Sequence, residues 1–246
     1  MKIICFLICS FPFLLCAQVS KDSITVNYQQ TDEGLSFRPK QLILPAALIG
    51  MGVFGAFNKS IDKEIQQQTV KWKGDTKMDD WFVFAPGVSS FALDWVGVKS
   101  KHAFWDKTVI AATTAVFTLG SSFVLKETIG RERPSKENTL SFPSQHAAVA
   151  FAGAELLRQE YGHHSVWYGV AGYGVAACTG FLRIYNNKHW TSDVLVGAGI
   201  GILSTKAAYW LYPSIRKLYH TSSEQSLVVL PFGSSTSLGL SLSARF

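Results

Sequence analysis

Cysteine is nearly absent from this sequence once its first residues are set aside. Of four cysteines in 246 residues, Cys5, Cys9 and Cys16 lie at the extreme N-terminus and only Cys178 remains beyond it. The rest of the chain therefore cannot close an internal disulfide. Charge is also scarce. Charged residues make up 16% against 48% hydrophobic ones, and mean hydropathy is +0.16, a composition between ordinary soluble and membrane proteins. No Pro/Gly/Ser-rich linker interrupts residues 41–215, so they read as one domain. A basic stripe with interleaved aromatics is missing too, and the net charge of +6 fits a local anion site better than a nucleic-acid surface.

What is present begins with MKIICFLICSFPFLLCAQ. Lys2, an apolar run from Ile3 to Leu15 and a small residue at Ala17 have the outline of a secretory signal over residues 1–17, too short for a comfortable membrane span. Residues 18–40 are polar, with a short strand expected at Ile24–Tyr28. Apolar segments then recur at Leu42–Phe57, Trp81–Trp95, Val109–Leu125, Ala147–Leu157, Val166–Leu182 and Val194–Tyr212. They have helical lengths and no sustained alternation, which predicts an all-α bundle of six helices over residues 41–215. Small residues in GVAGYGVAACTG and VGAGIGIL predict close helix approach. Beyond Pro213 the pattern changes, and residues 216–246 read as a β-like tail in which LVVLPF and SLGLSLSARF form a hairpin around GSST.

Three short segments carry chemistry. KETIGRERP places Lys126 seven residues before Arg133, a point charge and a planar fork flanking a turn, as a phosphate clamp needs. Alone, the pair would equally suit a helix C-terminus. SFPSQH combines Pro143 and Ser144, a helix-start signal, with His146. FLRIYNNKHWTSD sets Arg183, His189 and Asp193 at spacings of six and four, so that a histidine and a carboxylate stand one helical turn apart.

In the order K-x6-RP, PS-x-H, R-x5-H-x3-D, these segments resemble the type 2 phosphatidic acid phosphatase superfamily. That superfamily also contains bacterial class A acid phosphatases, lipid A phosphatases and vanadium haloperoxidases. The resemblance implies that His189 attacks phosphorus and forms a phosphohistidine while Asp193 holds its other nitrogen. It further implies that Lys126, Arg133 and Arg183 bind phosphoryl oxygens with Ser144 completing the pocket, and that His146 protonates the leaving alcohol. No metal or other cofactor is implied. Three cations and two histidines supply charge neutralisation, an in-line nucleophile and a proton donor, which is what phosphoryl transfer requires. Two departures bear on the substrate: Gln145 stands where the family usually has Gly, and Leu182 where it usually has Ser.

Two expected helices separate His146 from His189, so the chain leaves the catalytic end and returns to it. The apolar segments approach the roughly 20 residues that cross a bilayer, and Lys99, Lys101, Lys107, Arg158, Arg216 and Lys217 fall opposite the catalytic end. The expectation is a membrane protein with its site facing the periplasm, acting on phosphatidate-like lipids, polyprenyl diphosphate or lipid A. A soluble periplasmic acid phosphatase, a vanadate-dependent haloperoxidase and a non-catalytic anion-binding membrane protein are the alternatives. His163 and His164 read as a solvated turn, Trp190 as a residue able to touch substrate, and Arg131 and Lys188 as rim charges.

Overall fold

Glycines decide how closely the helices of this chain approach, and the centre of the bundle is built where they lie. In a computed structural model, which describes residues 39–70, 76–220, 227–234 and 237–244, eight α-helices follow one another. They are α1 Ile43–Phe57, entered through a 3-10 turn at Pro39–Leu42, α2 Lys59–Val70, α3 Met78–Phe82, α4 Ala85–Trp95, α5 Phe104–Ile129, α6 Gln145–Tyr161, α7 Val166–Tyr185 and α8 Thr191–His220. Helix α8 is central and packs against α1, α5 and α6. A Cβ on Gly201 would lie 2.1 Å from the Ala148 carbonyl oxygen, and one on Gly197 would lie 2.4 Å from that of Ser144. On the other face of α8, a Cβ on Gly199 would come within 2.9 Å of the Pro45 carbonyl oxygen. Only glycine lets backbones meet at these separations.

These contacts fix direction. Helices α6 and α8 run parallel, from Ser144 beside Gly197 to Tyr209 bonded to Glu160, while α1 runs antiparallel to α8, since Gly55 meets Ser192 and Pro45 meets Gly199. The N-termini of α6 and α8 and the C-termini of α5 and α7 therefore share one end of the bundle.

Five of the six expected helices match α1 and α5–α8. The sixth, expected over Trp81–Trp95, is two helices, because Pro86 occupies the first turn of α4 and starts it afresh. Helix α2 was not expected: KSIDKEIQQQTV is mostly polar, and among its described side chains it buries Asp62 and Gln66. Helix α8 does not end at Tyr212 but continues through Pro213 to His220. Strands β1 Leu227–Ser234 and β2 Ser237–Ala244 pair antiparallel, Ser234 opposite Ser237. The signal expected over residues 1–17 and the strand at Ile24–Tyr28 lie outside the described residues.

Pro39–Phe57, Phe104–Ile129 and Thr191–Leu218 are each long and apolar enough to cross a membrane. Trp95, Trp105 and Trp167 are exposed at the end where α4 stops and α5 and α7 start, as an interfacial belt would place them.

Candidate active site

Each helix terminus at the shared end delivers one part of a polar cluster. Helix α5 closes on Gly130, whose φ of 56° is the left-handed geometry that stops a helix. Lys126 thus sits in the last turn, its Nζ donating to the Leu140 carbonyl at 2.7 Å. Arg133 follows in the loop, 3.7 Å from the exposed carboxylate of Glu137. Its Nε is buried without a partner among the described residues. Burial, then the charge of Arg183, holds Arg133 below its ordinary pKa. Arg183, near the end of α7, donates through Nη1 to Asp79 at 2.5 Å, and its Nε is likewise buried and unpaired. Orphaned guanidinium donors converging on one end are the groups an oxyanion would satisfy.

His189 lies in the α7–α8 loop and is only 2% exposed. Its Nδ1 stands 2.7 Å from the Ser141 carbonyl oxygen. A carbonyl only accepts, which assigns the proton to Nδ1 and leaves the lone pair on Nε2. Nε2 has no hydrogen-bond partner among the described residues. Burial, reinforced by Arg183 and Lys126 against the opposing pull of Asp193, lowers the imidazole pKa to about 4, so the ring is neutral near pH 7.

Here the structure corrects one expectation. Asp193 does not hold the second nitrogen of His189: its Oδ2 is 3.8 Å from Nδ1, beyond hydrogen-bond reach. The backbone carbonyl of Ser141 takes that place. Asp193 instead accepts from the Ser141 hydroxyl at 2.5 Å, the Trp190 amide at 2.9 Å and Arg131 Nη1 at 2.7 Å. Arg131 is correspondingly no rim charge. Its other nitrogen reaches Asp62 of α2 at 2.7 Å, and Asp62 also accepts from the Ser192 amide at 3.1 Å. Lys188 does sit at the rim, paired with Glu137 at 2.7 Å. Trp190 donates its indole N–H to the Glu132 carbonyl at 2.9 Å and so ties the two loops together.

Ser144 is fully buried as the N-cap of α6, accepting from the Ala147 amide at 3.5 Å. His146, in the first turn of α6, is half-buried, with Nε2 3.1 Å from Asp80 Oδ1. Burial and Arg183 lower its pKa from the ordinary 6.5 against the pull of Asp80. Asp79, Asp80 and His146 bring donor atoms within 4.8 Å of one another, a grouping that could hold a cation. The Asp79 oxygens, however, are already taken by Arg183 and by Asn186 at 3.1 Å.

Sequence reasoning missed Asp62, Asp79, Asp80, Ser141 and Asn186. The adjacent carboxylates of KMDDW just ahead of an apolar run were the one visible signal for the α3 pair. Nothing marked Asp62.

The family model of the PAP2 superfamily matches residues 107–217, the stretch that carries Lys126, Arg133, Ser144, His146, Arg183, His189 and Asp193. Residues 107–217, just under half of the chain, are thus similar to the PAP2 superfamily. It is 37% identical over 155 residues to a lipid A 1-phosphatase from Porphyromonas gingivalis, covering 62% of this chain and 35% of that protein. It is 28% identical over 134 residues to phosphatidylglycerophosphatase B from Bacillus subtilis, covering 48% of this chain and 66% of that protein. The chain thus spans about a third of the length of the first and just under two thirds of the second. Among solved structures, Aquifex aeolicus LpxE aligns at 20% identity and TM-score 0.46 over 59% of this chain and 92% of that one. A transmembrane PAP2-type phosphatidylglycerolphosphate phosphatase from Bacillus subtilis aligns at 20% and 0.43 over 71% and 96%. The matched segment begins after α2 and α3, so Asp62, Asp79 and Asp80 brace its motifs from outside the matched residues.

Proposed function

We propose that this chain is a phosphatase of phosphorylated membrane lipids working through a phosphohistidine. The observation that carries the reading is His189: neutral, fixed through Nδ1 on a backbone carbonyl, with an unpartnered Nε2 and with the charges of Arg183 and Lys126 close enough to act on the ring. Nε2 attacks phosphorus while the bond to the lipid oxygen breaks, and protonated His146 gives its proton to the leaving alkoxide. The imidazole is then cationic, and the Asp193 carboxylate 3.8 Å from Nδ1 stabilises that charge. Water next attacks phosphorus, His146 recovers a proton from it, and His189 leaves as neutral imidazole. The three cations offset charge on the transferring phosphoryl oxygens, helped by the N-terminal dipoles of α6 and α8.

Three apolar helices long enough to span a bilayer support a lipid substrate, as do the names of the two relatives, one of which acts on lipid A. We place the site on the periplasmic side, since Lys99, Lys101, Arg158 and Lys217 lie at the other end. With α1 spanning, this orientation starts α1 on the cytoplasmic side. A signal cleaved after Ala17 would deliver Pro39 to the periplasm, so cleavage and this orientation exclude each other.

The test is phosphate release by the detergent-purified protein, in excess EDTA, from a dispersed lipid phosphate beside a water-soluble phosphomonoester. Release from the lipid that survives chelation is the expected result. Preference for the soluble ester would replace the reading with a small-molecule acid phosphatase, and no release from either would leave an anion-binding protein.

A further inference from the structure

We infer that the groove between α5 and α8 seats an acyl chain of the lipid whose phosphate the site takes, an inference that rests on the lipid phosphatase reading above. The groove has a volume of about 430 Å³ and is lined by Phe117, Gly120 and Ser121 of α5 and by Ile200, Leu203 and Ala207 of α8, among others. Its lining is apolar in effect. The Ser121 hydroxyl is already spent on the Phe117 carbonyl at 2.6 Å, which leaves Ser204 as the other polar side chain in an otherwise apolar lining.

Two observations identify the occupant. The first is continuity with the site along the same two helices. Ile200 bounds the upper groove and packs in one cluster with Phe142 and Leu125, the neighbours of Ser141 and Lys126. Ser121 precedes Lys126 by five residues, about 7.5 Å along the helix. A phosphate held at Lys126 therefore delivers the start of its chains to the top of the groove. Val116, Phe123 and Val124 are exposed on the same helix and leave it open sideways to bilayer chains.

The second is Gly120. The α8 glycines meet backbone at 2.1–2.9 Å, whereas a Cβ on Gly120 would find nothing within 4 Å. Glycine in a helix interior costs about 1 kcal/mol relative to alanine. Gly50 of α1 and Gly174 of α7 are equally open, and what is particular to Gly120 is that its open space belongs to the groove.

Filling the groove tests this without touching the phosphate site. Gly120→Leu has open space for its side chain, and Ala207→Leu narrows the groove farther from the site, so the inference does not depend on one variant folding. The full chain in detergent is assayed on dipalmitoyl phosphatidate and on dihexanoyl phosphatidate, which share a head group. The expected result is a fall in kcat/KM of about tenfold or more on the long-chain lipid, equivalent to roughly two buried methylenes lost, with the short-chain rate unchanged. Equal losses on both lipids, or none on either, would overturn the groove while leaving the phosphatase reading intact. A changed oligomeric state in sedimentation with no chain-length effect would overturn it in favour of a second copy. Wild-type protein inactive on both lipids would remove the phosphatase reading, and the groove inference with it.

Discussion

The two ends of this bundle hold similar stocks of charge and use them oppositely. At the end away from His189, the buried charges are matched within the chain. Lys107, fully buried, donates to Asp94 and, at 2.7 Å, to the Ser90 carbonyl. Glu155 accepts from Lys206 at 2.7 Å and from Arg158 at 2.6 and 2.8 Å, while Glu160 meets His102 at 2.8 Å and the Tyr209 hydroxyl. At the other end, among the described residues, Lys126 has only a carbonyl and Arg133 only a distant exposed carboxylate. Burying a charge is tolerable when a partner is buried with it, and a buried cation lacking one implies an anion from outside. The closed end reads as architecture and the open end as a site.

The comparison breaks most sharply at His189. Replacing it with Ala should lower turnover by roughly 10⁴-fold or more, measured as phosphate release, with the far-end network and helix content by circular dichroism unchanged. Lys107→Met is the mirror experiment. It should cost about 3 kcal/mol of stability in denaturant titration, because Asp94 is left without its cation, while kcat/KM of the folded fraction stays at the wild-type value. If Lys107→Met instead abolished turnover and left stability alone, the division between the ends would fail.

Arg133→Ala should reduce kcat by about 10²-fold, the usual loss for one donor to a developing oxyanion, with a smaller effect on melting than any far-end substitution. Arg131→Met probes the correction at Asp193. It should destabilise the fold as well as slow turnover, because it strips a buried partner from both Asp62 and Asp193; a rim charge would do neither.

The smallest effects concern pH. His189 must be neutral to attack, and it protonates only as pH falls through about 4. His146 must carry a proton, and its pKa lies below 6.5. The rate should therefore peak on the acid side and decline toward neutrality. Stability follows His189 as well. Between pH 6.5 and about 4 the unfolded chain binds a proton that the native ring refuses, so stability should fall as pH drops through that window. His189→Gln should flatten this slope in melting measurements. Topology is checked by membrane-impermeant maleimide labelling of intact cells carrying Glu137→Cys or Lys101→Cys, with labelling expected only at position 137.

The sequence by itself determined the helices with strong apolar runs and the residues of the three motifs, since spacing and residue type survive in one dimension. Cap chemistry at Ser144 and the return of the chain between His146 and His189 were legible for the same reason. Only the tertiary structure decided what supports them. Helix α2 lacks an apolar stripe and earns its place through Asp62 and Gln66 meeting the α7–α8 region, contacts more than a hundred residues apart in sequence. That a backbone carbonyl, and not Asp193, sets the tautomer of His189 was equally invisible, because every residue has a carbonyl and only the fold aims one. Which cations remain unpaired is likewise a property of three-dimensional neighbours: Lys107 and Lys126 are the same residue on the same helix, and the difference between a strut and a candidate ligand is whether a carboxylate was brought to meet it.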